Sequence, residues 1–235
     1  MTTRNNSVEI APNVYWLATG SVNVYLVVEA PNIVLIDASM PRQQKVILDF
    51  LGRLGYQPSD LTHILVTHAD MDHVGSLAAL YQATGAKILA GADSANLIAV
   101  GKSPKHMPII VQWIIDTFMK YGAVPQAQIS VFKDGDVLPF LGGLQVLATP
   151  GHTMDHFSFF SPSSGVLFAG DALNTRNGRI NLTPPNITAD KTAAHRSASR
   201  LLELSPAIIA CGHGKPSATH TSDDLMQLFN SLRQE

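Results

Sequence analysis

Apolar positions in the first part of the chain form short strand-like runs separated by turn residues. Segments 14–18 (VYWLA) and 23–30 (NVYLVVEA) are rich in β-branched and aromatic residues, and 33–37 (IVLID) is a continuous apolar run. Such runs are typical of strands that are buried on both faces. Pro and Asn at 12–13 and 31–32 separate the runs. We therefore predict three strands before residue 40.

The spacing of apolar residues then becomes helical. One face of a predicted helix, which Gly55 ends, carries Val46, Ile47, Phe50, Leu51 and Leu54. Segment 74–85 predicts a second helix that ends at Gly85. Segments 62–68 and 87–91 predict strands on either side of it.

The second half of the chain follows the same plan. Apolar runs predict strands near 129–132, 144–149, 157–161, 166–170 and 207–211, and helices over about 189–203 and 222–233. There is no repeat of solenoid period and no low-complexity linker. The pattern predicts an α/β fold, with β-sheets between outer helices, in a single domain over residues 1–235.

A strongly apolar helix is predicted within a helical insertion at about 102–125, near the active site. Its polar residues Gln112, Asp116 and Lys120 recur every four positions, so they form one narrow stripe on the helix at 108–121. Most of its circumference is therefore apolar. It is interpreted either as an ordinary core helix, or as a lid or dimer contact that supplies an apolar wall to the site.

Composition excludes several classes of protein. The chain has 235 residues, 46% of them hydrophobic and 14% charged, with a formal net charge of −2. This balance is typical of a compact globular protein and gives no global attraction to nucleic acid or anionic membrane. The N-terminus lacks an apolar signal-peptide core, and no apolar run is long enough to span a bilayer. We therefore expect a cytoplasmic protein.

The chain contains one cysteine, Cys211, so it cannot form an internal disulfide. Cys211 belongs to the predicted strand at 207–211. We interpret it as a small core residue of low reactivity.

Four potential metal ligands follow the strand at 62–68 within six residues. They are His68, Asp70, Asp72 and His73, at a predicted turn from strand to helix. Imidazole and carboxylate groups together suit zinc, iron or manganese. A tight turn can direct the first two ligands to one metal and the last two to a second.

Three further candidates occur where other predicted strands end beside a glycine. They are His152 in TPGHT, Asp171 in AGD and His213 in CGHG. Each glycine lets the backbone turn sharply, so that the next side chain leaves the edge of the sheet. A single histidine in this context is usually structural. Four strand ends that each carry a ligand instead predict a two-metal site.

The order HxxxDH, TPGHT, GD and GHG resembles the metallo-β-lactamase superfamily, over nearly the whole chain. Asn23 and the IDAS turn at Asp37 add to the resemblance. It implies a four-layer αβ/βα sandwich of two mixed β-sheets flanked by helices. It also implies a metal-dependent hydrolase with two divalent ions, zinc foremost.

The resemblance implies a division of the ligands. His68, Asp70 and His152 would hold one metal, Asp72, His73 and His213 the other, and Asp171 would bridge them. A hydroxide shared by the metals would be the nucleophile. Asp72 would be the catalytic residue that orients it and passes a proton to the leaving group.

The sequence departs from the superfamily pattern at Asp70, where HxHxDH has histidine. The extra carboxylate favours harder metals, so manganese or iron is an alternative to zinc. Asn174 stands where lactonases of this fold carry a tyrosine, so their usual phenolic acid is missing. Asp155 replaces a glycine and is predicted to face solvent, with a role behind His152 as the alternative. His156 is predicted to be a packed structural residue.

The loop 174–186 follows Asp171 and should border the cleft. Asn174 and Arg176, with Arg179, are candidate contacts for a carboxylate or phosphate of the substrate, although a solvated loop explains them equally well.

Three classes of function remain after these observations. The leading one is hydrolysis of an ester, lactone, thioester or similar acyl bond in a small molecule. The alternatives are a phosphodiesterase or an iron-dependent oxidoreductase resembling persulfide dioxygenases. A non-catalytic binding module is disfavoured, because every ligand position keeps a residue able to bind metal. A homodimer is a further expectation.

Overall fold

A computed structural model of the chain describes residues 7–118 and 120–218, so the helix predicted at 222–233 lies outside the described residues. The first sheet contains seven strands in chain order. They are β1 (Ser7–Ala11), β2 (Val14–Ala18), β3 (Asn23–Glu29), β4 (Asn32–Ile36), β5 (His63–Leu65), β6 (Lys87–Gly91) and β7 (Ile129–Phe132). Strands β1 to β4 pair antiparallel, whereas β4 to β7 pair parallel.

The second sheet has the order β13-β12-β11-β10-β9-β8. Its strands are β8 (Val137–Leu138), β9 (Leu144–Ala148), β10 (Phe157–Ser161), β11 (Val166–Gly170), β12 (Ile208–Cys211) and β13 (Ser217–Ala218). All neighbours pair antiparallel except β11 and β12, which pair parallel. Both sheets are therefore mixed, as expected.

Six α-helices accompany the sheets in the described part of the chain. They are α1 (Gln44–Arg53), α2 (Met71–Val74), α3 (Leu77–Thr84), α4 (Ala92–Val100), α5 (Ile109–Phe118) and α6 (Lys191–Glu203). None of the described helices is long and apolar enough to cross a membrane.

Three apolar clusters define four layers. The central cluster lies between the sheets and joins Val27 of β3 to Phe159 of β10 and Phe168 of β11. The outer clusters pack α1, α3 and α4 on the first sheet and α6 on the second. Because successive side chains of a strand point to opposite faces, β3 serves both cores: Leu26 packs toward the helices and Val27 toward the other sheet. The four-layer αβ/βα sandwich is thereby confirmed.

The helix predicted over 74–85 corresponds to α3, which begins three residues later than predicted. α2 ends at Val74 and α3 begins at Leu77. Gly75, in the gap, packs so closely on Pro41 that a Cβ there would clash with its ring. The close approach of Pro41 therefore coincides with the gap between α2 and α3, and the spacing of apolar residues does not report it.

The core interpretation of the 108–121 helix is wrong. In α5, Ile109 is 89% exposed and Trp113 is 61% exposed, whereas Gln112 is 8% exposed. The Gln112 amide oxygen accepts hydrogen bonds from the backbone N–H groups of His106 and Met107. Because these bonds hold the polar residue inside, much of the apolar surface of the helix faces outward.

Candidate metal centre

All seven predicted ligands lie together at one end of the two sheets. The loop after β5 carries His68 and Asp70, and the short helix α2 that follows carries Asp72 and His73. The ends of β9, β11 and β12 lead to His152, Asp171 and His213. The carboxyl ends of parallel strands meet at one edge, which is where open α/β folds place their sites. The tertiary fold therefore assembles residues that are far apart in the sequence.

Asp171 lies at the centre of this cluster. Its Oδ1 is 3.4 Å from His73 Nε2. Its Oδ2 is 3.2 Å from His213 Nε2 and 3.6 Å from His152 Nε2. One carboxylate therefore contacts histidines of both predicted metal positions.

Asp70 lies among imidazole groups. Its Oδ2 is 3.4 Å from His68 Nε2 and 3.2 Å from His152 Nε2. A third ring, that of His106, has its Nε2 at 3.3 Å from the same oxygen. His106 was not predicted from the sequence. It is a lone histidine in KSPKHMP and does not follow a strand that ends beside a glycine, as the other candidates do.

Among the described residues the potential ligand atoms form three groups, in each of which all atoms lie within 4.8 Å of one another. The groups are Asp72, His73 and His213; His68, His152 and Asp171; and Asp70, His106 and His152. The first matches the predicted second metal position. The predicted ligands of the first metal position fall into two groups. Asp70 groups with His106, His68 groups with Asp171, and His152 belongs to both groups.

The donor separations fit a metal ion. Nitrogen and oxygen ligands at about 2.0–2.1 Å from a tetrahedral zinc are about 3.3–3.4 Å from each other. The His–Asp separations in the cluster run from 3.2 to 3.6 Å. Several of the atoms are also buried without a hydrogen-bond partner: His68 Nε2, His73 Nε2, His106 Nε2 and Asp171 Oδ1. Buried polar atoms are normally paired, so these atoms are suited to coordinate an ion.

In three of the histidines, a contact of Nδ1, on the side away from the cluster, fixes the orientation of the ring. His73 Nδ1 lies 2.8 Å from Asp37 Oδ2. His152 Nδ1 donates to Ile187 O at 2.8 Å, and His213 Nδ1 to Ser21 O at 2.7 Å. A donor at Nδ1 leaves the Nε2 lone pair directed into the cluster, as is usual for metal-binding histidines.

Charges in the cluster attract cations. Burial opposes ionisation of Asp171, but the neighbouring His73 and His213 hold its pKa well below the usual range. Burial likewise opposes protonation of His213, but Asp171 and a hydrogen bond to it raise its pKa to about 9. The pKa of Asp70 is lowered against burial by hydrogen bonds from His152 and His68. The carboxylates therefore favour positive charge at these positions, carried by protons or by a metal.

A glycine lets the strand ends approach the cluster. A Cβ on Gly212 would clash with Asp171 Oδ1 and lie 2.6 Å from His73 Cε1. The residue before His213 must therefore be glycine for the centre to keep this geometry. Asn23 secures the same turn, since its side-chain amide donates to Cys211 O at 3.0 Å and also to Gly214 O.

The prediction that Asp155 faces solvent is wrong. Asp155 is 5% exposed, and its Oδ2 accepts hydrogen bonds from Ala69 N at 3.0 Å and Ser94 Oγ at 2.7 Å. It therefore fixes the loop that carries His68 and Asp70. His156 packs in the core as predicted, and its Nε2 accepts a hydrogen bond from Asp171 N at 2.9 Å.

The candidate substrate residues lie in the loop after Asp171. Asn174 is 7% exposed, and its side-chain amide donates to Leu182 O at 2.7 Å. Its Oδ1 accepts from the backbone N–H of Arg176, whose side chain is exposed. Asn174 thus stabilises the loop itself, and its contact with a substrate stays a prediction.

Fold and cluster together describe a four-layer αβ/βα sandwich with a His/Asp centre at one end of its sheets, and comparison with known proteins gives its family. The family model described as the metallo-β-lactamase superfamily matches residues 17–213. The chain therefore belongs to the metallo-β-lactamase superfamily, which confirms the resemblance found in the sequence.

Relatives of the chain include two proteins of Bacillus subtilis (strain 168). The uncharacterized protein YobT is 34% identical over 206 residues, which are 83% of each chain. The probable metallo-hydrolase YflN is 26% identical over 245 residues, covering 95% of this chain and 92% of YflN. A hydroxyacylglutathione hydrolase of Rhodobacter capsulatus is 33% identical over 114 residues, but these cover 48% of this chain and only 34% of that enzyme.

Solved structures share the fold. A B3 metallo-β-lactamase described as having an active-site glutamic acid superimposes with a TM-score of 0.74 at 26% identity, covering 97% of this chain and 88% of that chain. The Rm3 metallo-β-lactamase also gives a TM-score of 0.74, at 19% identity over 99% of this chain and 92% of that one. The second likeness, at lower identity, supports the fold alone.

Proposed function

We propose that the protein is a dinuclear metallo-hydrolase that cleaves an acyl bond in a small molecule, with a thioester as the first candidate and esters and lactones next. One observation carries this proposal. Histidine and aspartate donors from four strand ends meet at ligand-to-ligand distances, and several of their atoms are buried without another partner. Membership of the superfamily and the similarity to the probable metallo-hydrolase YflN support it.

In this proposal the seven predicted residues hold two divalent ions, zinc foremost. Asp72, His73 and His213 would hold one ion, and His68, Asp70 and His152 would hold the other, with Asp171 as a ligand available to both. Divalent ions in such a centre supply a nucleophile from water at neutral pH and polarise the carbonyl under attack. Asp37, Ile187 O and Ser21 O keep the imidazoles oriented for this task.

Asp72 is assigned the proton transfer. Its side chain is 32% exposed, whereas those of Asp70 and Asp171 are 10% and 6% exposed. Burial opposes its ionisation, but the adjacent His73 and a hydrogen bond from His213 lower its pKa, so it is a carboxylate at neutral pH. It can accept a proton from the attacking water and pass it to the leaving group.

The substrate class follows from two features. The hydroxyacylglutathione hydrolase relative is named for a thioester substrate, and its similarity supports thioester cleavage here. Helix α5 begins three residues after His106 and exposes Ile109, Ile110 and Trp113. An apolar surface that begins this few residues after His106 favours a substrate with a hydrophobic acyl part. The same surface also suits a homodimer contact.

The test begins with elemental analysis of protein purified without chelator. Thioesters, esters, lactones and phosphodiesters are then assayed on that metal form, with acyl chains of increasing length. The Asp171→Ala variant, purified in parallel, controls for contaminating hydrolases. We expect about two divalent ions per chain and a rate that rises with acyl length. Metal-free protein, or equal rates in the wild type and the variant, would contradict the proposal.

An iron-dependent oxidoreductase is the second candidate. Each of the three donor groups among the described residues combines two histidines with one carboxylate. This combination is typical of non-haem iron(II) oxygenases. Stoichiometric iron and an oxygen requirement with a thiol or persulfide substrate would favour this candidate over the hydrolase.

A further inference from the structure

His106 reaches the cluster from outside the superfamily motif. It lies in the segment between α4 and α5, and its side chain is only 2% exposed. Its Nε2 is 3.3 Å from Asp70 Oδ2, and its ring packs edge-on against His152 with centroids 4.8 Å apart. The ring therefore lies against two of the predicted ligands of the first metal position.

The surroundings of His106 Nε2 suit a metal ligand. Its Nε2 is buried without a hydrogen-bond partner. A buried imidazole nitrogen that has no hydrogen-bond partner and lies beside a carboxylate is suited to coordinate a cation.

The segment that carries His106 is fixed at both ends. Gln112 Oε1 accepts from His106 N at 3.2 Å and Met107 N at 3.3 Å. The Tyr121 hydroxyl lies 2.6 Å from Lys102 O and 3.3 Å from Ala69 O. Tyr121 thus connects the segment directly to the loop between His68 and Asp70.

We propose that His106 is a ligand of the first metal position and supplies the imidazole that Asp70 replaces in the HxHxDH pattern. The inference rests on the proposed metal centre and adds one residue to it. Asp70, His106 and His152 form a group of three donors whose ligand atoms all lie within 4.8 Å of one another. Two imidazoles and one carboxylate suit zinc as well as iron, so Asp70 does not by itself exclude zinc.

The test compares His106→Ala and His106→Gln with the wild type and with a matched histidine variant, His195→Ala, on the outer helix α6. Each protein is stripped, reloaded with zinc, and dialysed against metal-free buffer. Bound zinc is measured by elemental analysis, and affinity by competition with a chromophoric chelator. Cobalt(II) absorption spectra of each protein report the coordination of the ion independently of activity. Circular dichroism of the metal-free proteins checks that each variant folds.

We expect both His106 variants to lose one zinc ion, or to bind it at least about tenfold more weakly, and to change the cobalt spectrum. The second ion and the His195→Ala protein should be unaffected. If a folded His106 variant keeps both ions with wild-type affinity and spectrum, His106 is not a ligand, although the dinuclear centre stands. If the wild type binds no metal, both proposals fail.

Discussion

Asp37 and His73 form a fully buried pair, with Asp37 Oδ2 2.8 Å from His73 Nδ1. Asp37 also accepts hydrogen bonds from the backbone N–H and hydroxyl of Thr67, the residue before His68. One carboxylate outside the cluster therefore orients a proposed ligand and holds the start of the ligand loop.

This relationship predicts the effect of Asp37→Asn. The amide has one acceptor oxygen where the carboxylate has two, so it cannot accept all three hydrogen bonds from Thr67 and His73, and the hold on the His73 ring weakens. We expect metal affinity to fall by about 10–100-fold, the usual cost of losing such a partner. Chelator competition measures it. The matched control is Asp49→Asn, which removes an exposed carboxylate paired with Lys45 and should leave affinity unchanged.

The central residues of the cluster should be indispensable. His73→Ala removes a donor of one group, and Asp171→Ala removes the carboxylate that contacts histidines on both sides. We expect each variant to lose most activity and at least one metal ion, as measured by steady-state rates and elemental analysis. Full activity in both variants would refute the centre as described.

Gly212→Ala should displace the cluster without removing a donor. The added methyl group would clash with Asp171 and lie 2.6 Å from His73 Cε1, so one of the two must shift. We expect activity to fall at least about tenfold, because small misplacements of reacting groups are costly. Gly52→Ala is the control: a Cβ there meets nothing within 4 Å, and alanine in α1 should stabilise the helix by about 0.5–1 kcal/mol.

Metal affinity should rise with pH. Without metal, His213 has a pKa of about 9, raised by Asp171 against the effect of burial, so it carries a proton at neutral pH. A metal must displace that proton, which weakens apparent affinity about tenfold for each pH unit below about 9. Calorimetry in buffers of different ionisation enthalpy measures the protons released. His213→Gln should release fewer protons than the wild type, and equal release would contradict this assignment.

The same group gives the metal-free protein a pH-dependent stability. The folded pKa of His213 lies above its ordinary value of 6.5, so its stabilising contribution is complete below about 6.5. It is lost as the pH rises through about 9. Denaturant unfolding of the metal-free protein should therefore show decreasing stability over this range, and metal-loaded protein should not follow the same decline.

Cys211 should be unreactive in the folded protein. Its side chain is fully buried, and burial with the nearby Asp171 raises the pKa of the thiol well above its usual range. Since the thiolate is the reactive form, a chromogenic disulfide reagent should modify it only after unfolding. Rapid modification of one thiol in native protein would contradict its placement.

Much of the fold could be predicted because its strands are short buried runs with clear turn residues. β2, β7, β10 and β11 coincide with the predicted segments. The clustering of the seven proposed ligands could be predicted because each follows a strand end. Periodicity failed where another segment intervenes, as at Gly75 beside Pro41 and at Gln112, whose amide is held inward by His106.

His106 and Asp155 show what the sequence does not report. A lone histidine between Pro104 and Pro108 carries no local signal for coordination. Asp155 looks like a loop residue, yet it is buried because Ala69 and Ser94 donate to it across the fold. Both roles depend on which segments become neighbours, and that information is set by tertiary packing.

The distribution of donors over both sheets has a topological consequence. His68 to His73 follow a strand of the first sheet, whereas His152, Asp171 and His213 follow strands of the second. Two metal ions bound between these donors would close a loop of the chain from residue 68 to residue 213, as a covalent cross-link does. Metal loading should therefore protect the segments that join the two sheets from proteolysis, and the protection should grow with the concentration of free metal.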